Sequence, residues 1–258
     1  MYTSSDYRSI ARIALRGKWI PAAVTAFTAS LIGATIGTVS GGSIQLEEDD
    51  LNGIVHNLSE NELKFLKIFL LVILVYAVIR GIVAFVIGGA GQLGYACYNL
   101  RLIDGEDAQI SDLFSQFHRL GDGFLMVLLQ EIFLILWSFL FVIPGIIKTY
   151  SYAMTPYILY EHPEYSPTDA ITESRRIMDG SKLDLFLLNL SFIGWALLSA
   201  LPGVIGITGI LLGAVSLWPL IFVTVLSDAL LSAYREAANA AFYRDISKPG
   251  MTSTEWHG

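Results

Sequence analysis

The sequence predicts an all-α polytopic membrane protein: six transmembrane helices in three tandem units, each an interfacial helix plus a membrane hairpin, with both termini cytoplasmic. Three observations carry that reading. Of 258 residues, 54% are hydrophobic and only 15% charged, and the mean hydropathy is +0.58. Too few Lys, Glu, Arg and Asp remain to cover a water-soluble fold. The apolar residues gather in runs close to the ~20 that cross the hydrocarbon core as a helix. The basic residues, finally, fall in alternate connections, as the positive-inside rule requires.

The spans read as residues 19–39, 65–87, 124–143, 146–160, 183–201 and 204–226. The first has basic flanks like a signal peptide, but its apolar stretch is long and lacks a small-x-small cleavage site, so it reads as retained. The fourth is short and made polar by Lys148, Thr149, Ser151 and Tyr152. Between the fifth and sixth, Pro202-Gly203 serves as a short link. Arg8, Arg12, Arg16 and Lys18 precede the first span, and Arg101 and Arg119 follow the second. Arg175, Arg176 and Lys182 follow the fourth, and Arg235, Arg244 and Lys248 the sixth. The loop 40–61 has no Lys or Arg but holds Glu47, Glu48, Asp49, Asp50 and Glu60. Six spans then put both termini and both basic loops inside and the acidic loop outside.

Three connections share a pattern. Ser5-Asp6, Ser111-Asp112 and Thr168-Asp169 each precede a glycine (Gly17, Gly123, Gly180) by the same interval, and a span follows each glycine. Ser166-Pro167-Thr168-Asp169 has the form of a capping box with Pro in the first turn, and the glycines suit helix ends. Leu113, Phe114, Phe117 and Leu120 share one helical face, as do Tyr7, Ala11, Ala14 and Leu15. Trp137 and Pro144-Gly145 recur as Trp195 and Pro202-Gly203 at the same spacing. The units are about 5–100, 109–160 and 166–243, with 244–258 a cytoplasmic tail. Amphipathic helices of this kind lie in the headgroup layer. There Arg175 and Arg176 either contact anionic lipid or only enforce topology.

Function classes fall away in turn. A net charge of −7 does not suit nucleic acid. The four histidines are scattered and Cys97 is alone, so no metal site of the usual spacing exists. No nucleophile elbow, phosphate loop or His-Glu-x-x-His occurs, hence no catalytic residue is assigned and no cofactor expected. Gly89-x-Gly91-x-x-Gly94 spells a dinucleotide fingerprint, but that motif needs a preceding strand in a βαβ unit. An apolar helical span precedes it here, so the three glycines read as helix-packing positions, not a dinucleotide site. Gly33-x-x-x-Gly37, with Ala29 and Ala26, reads the same way, inside the molecule or on a homo-oligomer face.

Intramembrane charge marks the candidate substrate site, because charge in hydrocarbon is costly and faces the bundle interior. Arg80, on the inner half of the second span, and Glu131, beside Gln130 on the third, stand at matching depth. They form a register-fixing pair or a site for a polar substrate. Lys148, placed near the outer face, snorkels outward or binds an anion, and Tyr150, Tyr152 and Tyr157 share its segment.

Several blocks resemble a known family. They are Gly89 to Gly94 continuing through Arg101-Leu-Ile-Asp-Gly105-Glu106, then Leu113-Phe114; Ile143-Pro-Gly-Ile-Ile-Lys148-x-Tyr150-Ser-Tyr152; Ala170-Ile-x-x-Ser174-x-x-x-Met178-x-Gly180; and Leu190-Ser-Phe-Ile-Gly-Trp195. The chain resembles the domain of unknown function 975 family over roughly residues 10–243. That family is similar in outline to the membrane domain beside some glycerophosphodiester phosphodiesterases. Leu217-Trp218-Pro219-Leu220 departs from it where Pro-Tyr is more usual. The resemblance implies a helical membrane fold in the cell membrane of mainly Gram-positive bacteria, and no activity. The first functional expectation is a non-enzymatic accessory protein holding a membrane partner or lipids. The second is a small-solute or lipid permease using Arg80, Glu131 and Lys148.

Overall fold

The computed structural model describes residues 2–34, 60–140, 142–211, 215–217 and 219–248, and all regular structure among them is helical. The α-helices are α1 Ser4–Ala14, α2 Trp19–Leu31, α3 Glu60–Ile103, α4 Leu120–Leu140, α5 Val142–Tyr152, α6 Thr155–Glu161, α7 Pro167–Ile177, α8 Lys182–Leu190, α9 Ile193–Leu211 and α10 Pro219–Ser247. Two stretches, Ile110–Phe139 and Lys182–Gly209, are helical, long and apolar enough to cross a membrane.

The molecule has two unlike ends. At one, the last third of α3 and the second half of α10 pack with α1, α2, α6 and α7 around Leu93, Tyr95, Tyr98, Leu100, Tyr157 and Phe242, all buried. At the other, large apolar side chains stand exposed along the first half of α3, along α4 and α9, and at the start of α10. Phe139 is 87% exposed and Leu197 66%, so the apolar surface a soluble fold would bury lies outside this protein core.

Aspartates start three of the segments alike. The Thr3, Gln109 and Ser166 N–H groups donate to the carboxylates of Asp6, Asp112 and Asp169 at 2.8, 2.8 and 3.2 Å. Each carboxylate thereby satisfies a backbone donor left over at a helix start. Gly17 and Gly180 follow α1 and α7 at φ +78° and +86°, the left-handed region that favours glycine.

Elsewhere the helix ends differ from the sequence expectation. Residues 110–114 and 117–119 are 3₁₀ turns. At three residues per turn a 3.6-residue face does not persist: Leu113 is buried while Phe114 and Leu120 are exposed. Gly123 therefore does not end an interfacial helix; it lies inside α4. The helix of the second span continues beyond residue 87, where the span was closed, to Ile103. The short fourth run divides into α5 and α6 at Ala153-Met154. Pro202-Gly203 is no link: α9 runs through it to Leu211. Proline is tolerated inside an apolar helix where neighbours serve the freed backbone. Gly203 there admits α10, because a Cβ would stand 2.9 Å from Thr224 Oγ1.

Candidate functional site: a central cavity

A cavity of about 1070 Å³ opens between α2, α4, α5, α8, α9 and α10, with Gln92 of α3 also in its wall. Its apolar lining includes Phe27, Leu134, Ile146, Ile193 and Val225. Its polar lining is led by α10, which contributes Asp228, Ser232, Arg235 and Asn239. Those positions follow i, i+4, i+7, i+11 spacing and so share one helix face.

Four of the sequence-derived candidates meet here. Gln130, Glu131, Tyr150 and Tyr152 all line the cavity. Gln130 Nε2 donates to the Tyr152 carbonyl at 3.1 Å, which ties α4 to the end of α5. Tyr152 is buried against Phe133, and Tyr150 meets Phe186 edge-on at 5.8 Å. Glu131 lines the cavity and is exposed, with no ion-pair partner among the described residues. The Arg80 side chain lies outside the described residues, as does Gly37.

Lys148 is not in the cavity wall. Its ammonium sits 4.5 Å from the Trp137 ring centroid, a cation–π contact. One turn on, the Ser151 carbonyl accepts from Ser174 Oγ of α7 at 2.9 Å. Lys148 therefore stands on the side of α7, with Arg175 and Lys182 as its electrostatic neighbours. Arg175 is exposed, and Arg176 is clasped by Glu173 on its own helix, Nε to Oε2 at 2.7 Å.

The glycines mark close backbone approaches. A Cβ on Gly89 would lie 2.1 Å from the Gly123 carbonyl oxygen, and one on Gly94 2.0 Å from that of Leu113. On Gly91 it would strike Ala34, and on Gly33 Ala84. The nucleotide-like spelling thus lies in the helix seam where α4 and the first 3₁₀ turn cross α3.

The α10 stripe escaped the sequence reading because the sixth span was closed at residue 226, two short of Asp228. The signal was present: one polar face on a helix otherwise of Leu, Val and Ala. Behind it Glu236 is fully buried, with Oε1 3.5 Å from Arg235 Nη2 and Oε2 3.5 Å from Asn239 Nδ2. Glu236 Oε1, Asn239 Oδ1, Tyr157 Oη and Tyr95 Oη are buried with no hydrogen-bond partner.

Also missed was a clasp at the packed end. Arg244, assigned to a tail, is buried on α10. Its guanidinium takes both Asp104 carboxylate oxygens, Nε to Oδ1 at 2.8 Å and Nη2 to Oδ2, and also pairs with Glu161. Tyr243 Oη donates to the other Glu161 oxygen at 2.6 Å. Arg101 likewise pairs with Glu106 and Asp112, and Arg119 with Asp122 and the Leu159 carbonyl. The basic residues read as topology signals are thus also the fasteners of this end.

Residues 139–249 match a family described as a protein of unknown function, DUF975. The family expected from the sequence is the one that matches. No curated protein matches the chain, and no solved structure does. The DUF975 match takes in α5 to α10, and with them Tyr157, Glu236 and the whole polar stripe. Gln92, Gln130 and Glu131 lie before the DUF975 segment.

Proposed function

We propose that this chain is a multi-pass protein of the bacterial cell membrane, non-enzymatic, whose central cavity takes up a small amphiphilic solute or a lipid, as a permease or lipid-handling protein does. The cavity carries this reading. Its volume suits a lipid-sized molecule, and a polar stripe faces it from α10 while apolar side chains form the rest of the wall. Charged groups inside an apolar bundle are costly and are kept where they meet a substrate or each other. The exposed apolar surface of α3, α4 and α9 supports lipid as the surrounding medium.

The topology proposed is the one the basic residues favour, with both termini inside. The sixth span is redrawn to start at Pro219. The three aspartate caps support three tandem units, the second altered by its 3₁₀ turns. The other reading, an accessory protein that holds a membrane partner or a second copy, draws on the exposed basic face of α7.

Two measurements test the proposal. Native mass spectrometry of protein extracted in mild detergent should find a small amphiphile retained by the wild type and lost from Ser232→Trp, which fills the cavity. Equal retention by both rejects the cavity reading. A reporter fused after Gly258 should be active only inside the cell, and activity outside overturns the topology.

A further inference from the structure

The inner end of the cavity has a chemistry of its own. Tyr157 and Asn239 are in its wall, and Glu236 stands directly behind Asn239. Tyr157, Asn239 and Glu236 are 0%, 8% and 0% exposed, and each keeps one oxygen without a hydrogen bond, although Arg235 Nη2 stands 3.5 Å from Glu236 Oε1. Glu236 is an electrostatic neighbour of both Tyr157 and Tyr95. A buried polar atom left unpaired costs about 1–3 kcal/mol. Several together, beside a cavity, are the mark of a group that arrives from outside.

The unmet oxygens select the class of that group. A carboxylate oxygen and an amide oxygen accept only, and a tyrosine hydroxyl accepts as well as donates. The missing partner is therefore a hydrogen-bond donor, N–H or O–H, and charge decides between the classes. Among the described residues, Glu131 and Asp228 line the cavity and Glu236 lies beside Asn239, against Arg235 alone. Arg235 itself faces Glu236. That surplus disfavours an anion and favours a cation. A metal ion is disfavoured by the ligand set, since no group of three or more His, Cys, Asp or Glu converges among the described residues. Beyond this end, Phe27, Leu134, Ile193 and Val225 provide an apolar wall.

We propose that the inner end of the cavity binds the ammonium group of an amphiphilic primary amine, with Glu236 Oε1, Asn239 Oδ1 and the Tyr157 hydroxyl as its three acceptors and the alkyl part along the apolar wall. This rests on the cavity being a ligand site. A primary ammonium carries three N–H donors, whereas a quaternary ammonium has the same charge and none. The two classes separate the hydrogen-bonding site from a merely anionic one.

The experiment uses the full chain in lipid nanodiscs, with empty nanodiscs as the blank. Octylammonium, octyltrimethylammonium and octanol are titrated by saturation-transfer NMR and by the shift in thermal midpoint. Octylammonium should bind roughly tenfold or more tighter than the other two, the equivalent of about one charged hydrogen bond. Tyr157→Phe and Glu236→Gln should each remove most of that preference, and Ser232→Trp should abolish binding. Tyr157→Phe keeps the ring, so it serves if Glu236→Gln does not fold. Equal binding of all three probes, still blocked by Ser232→Trp, overturns the amine site and leaves the cavity reading standing. Failure of every probe to bind overturns both.

Discussion

Arg244 and Asp104 lie 140 positions apart and form a two-armed ion pair that fastens the end of α10 to the end of α3. Glu161, from α6, closes the same guanidinium from its other side. Arg244 is buried, so removing it strands two carboxylates. Arg244→Ala should lower stability by about 3–5 kcal/mol. Arg244→Lys should recover only part, because an ammonium cannot reproduce the planar fork. Thermal unfolding of purified protein measures both, and an unchanged Arg244→Ala midpoint would show the clasp to be idle.

Gly89 should be intolerant of any side chain. Its Cβ would meet backbone, 2.1 Å from the Gly123 carbonyl oxygen, and backbone cannot swing aside as a side chain can. Gly89→Ala should destabilise by several kcal/mol, on the order of 3 or more, an exceptional value for one methyl group. Gly121 has open space around its Cβ position and gives the control. Gly121→Ala should be neutral or stabilising by about 0.5–1 kcal/mol. Fluorescence-detected size exclusion after a heating series would rank the two against wild type.

Tyr7 makes stability depend on alkaline pH. Burial, then the hydrogen bond to Asp245 at 2.6 Å, hold its hydroxyl well above the usual tyrosine range. The unfolded chain loses the proton near pH 10, while the folded chain keeps it. The contribution is thus fully present below pH ~10 and is lost as pH rises beyond it. Tyr7→Phe should cost about 1 kcal/mol at pH 8 and show a shallower decline than wild type between pH 9.5 and 11. Parallel declines of the two proteins would contradict this.

Asp228 and Lys148 should separate in function. Asp228 lines the cavity, whereas Lys148 lies over Trp137 outside it. Asp228→Asn should weaken ligand retention roughly tenfold, the loss of one charged contact. Lys148→Met should leave retention within about twofold while lowering stability by about 0.5–2 kcal/mol. The reverse pattern would move the site to Lys148.

Much of the architecture was written in local pattern. The apolar runs, the three aspartate starts and the Pro-Gly and Phe-Ile-Gly-Trp blocks are all short-range features. They led to a six-span helical protein and to the matching family; the described residues contain two stretches long and apolar enough to cross a membrane. Gln130, Glu131, Tyr150 and Tyr152 were found because polarity inside an apolar run is conspicuous. Lys148, conspicuous in the same way, lies outside the cavity wall, over Trp137. Pro202-Gly203 misled for a physical reason: the dipeptide signals a turn in water, but in an apolar helix it marks a notch for a neighbour. Arg244 with Asp104 and Glu161, and Glu236 with Tyr157, span 140, 83 and 79 positions. Such pairings follow from tertiary packing, which no local pattern encodes.

The 44 residues of α3 make an unbroken rod of about 66 Å, roughly twice the hydrocarbon thickness of a bilayer. One end is gripped on several sides, and the other stands among exposed apolar side chains. Gln92 of the cavity wall sits on this same rod, close to the gripped end. Whatever tilts the rod, whether bilayer thickness or a neighbouring molecule, acts as torque beside the cavity, without a joint to absorb it.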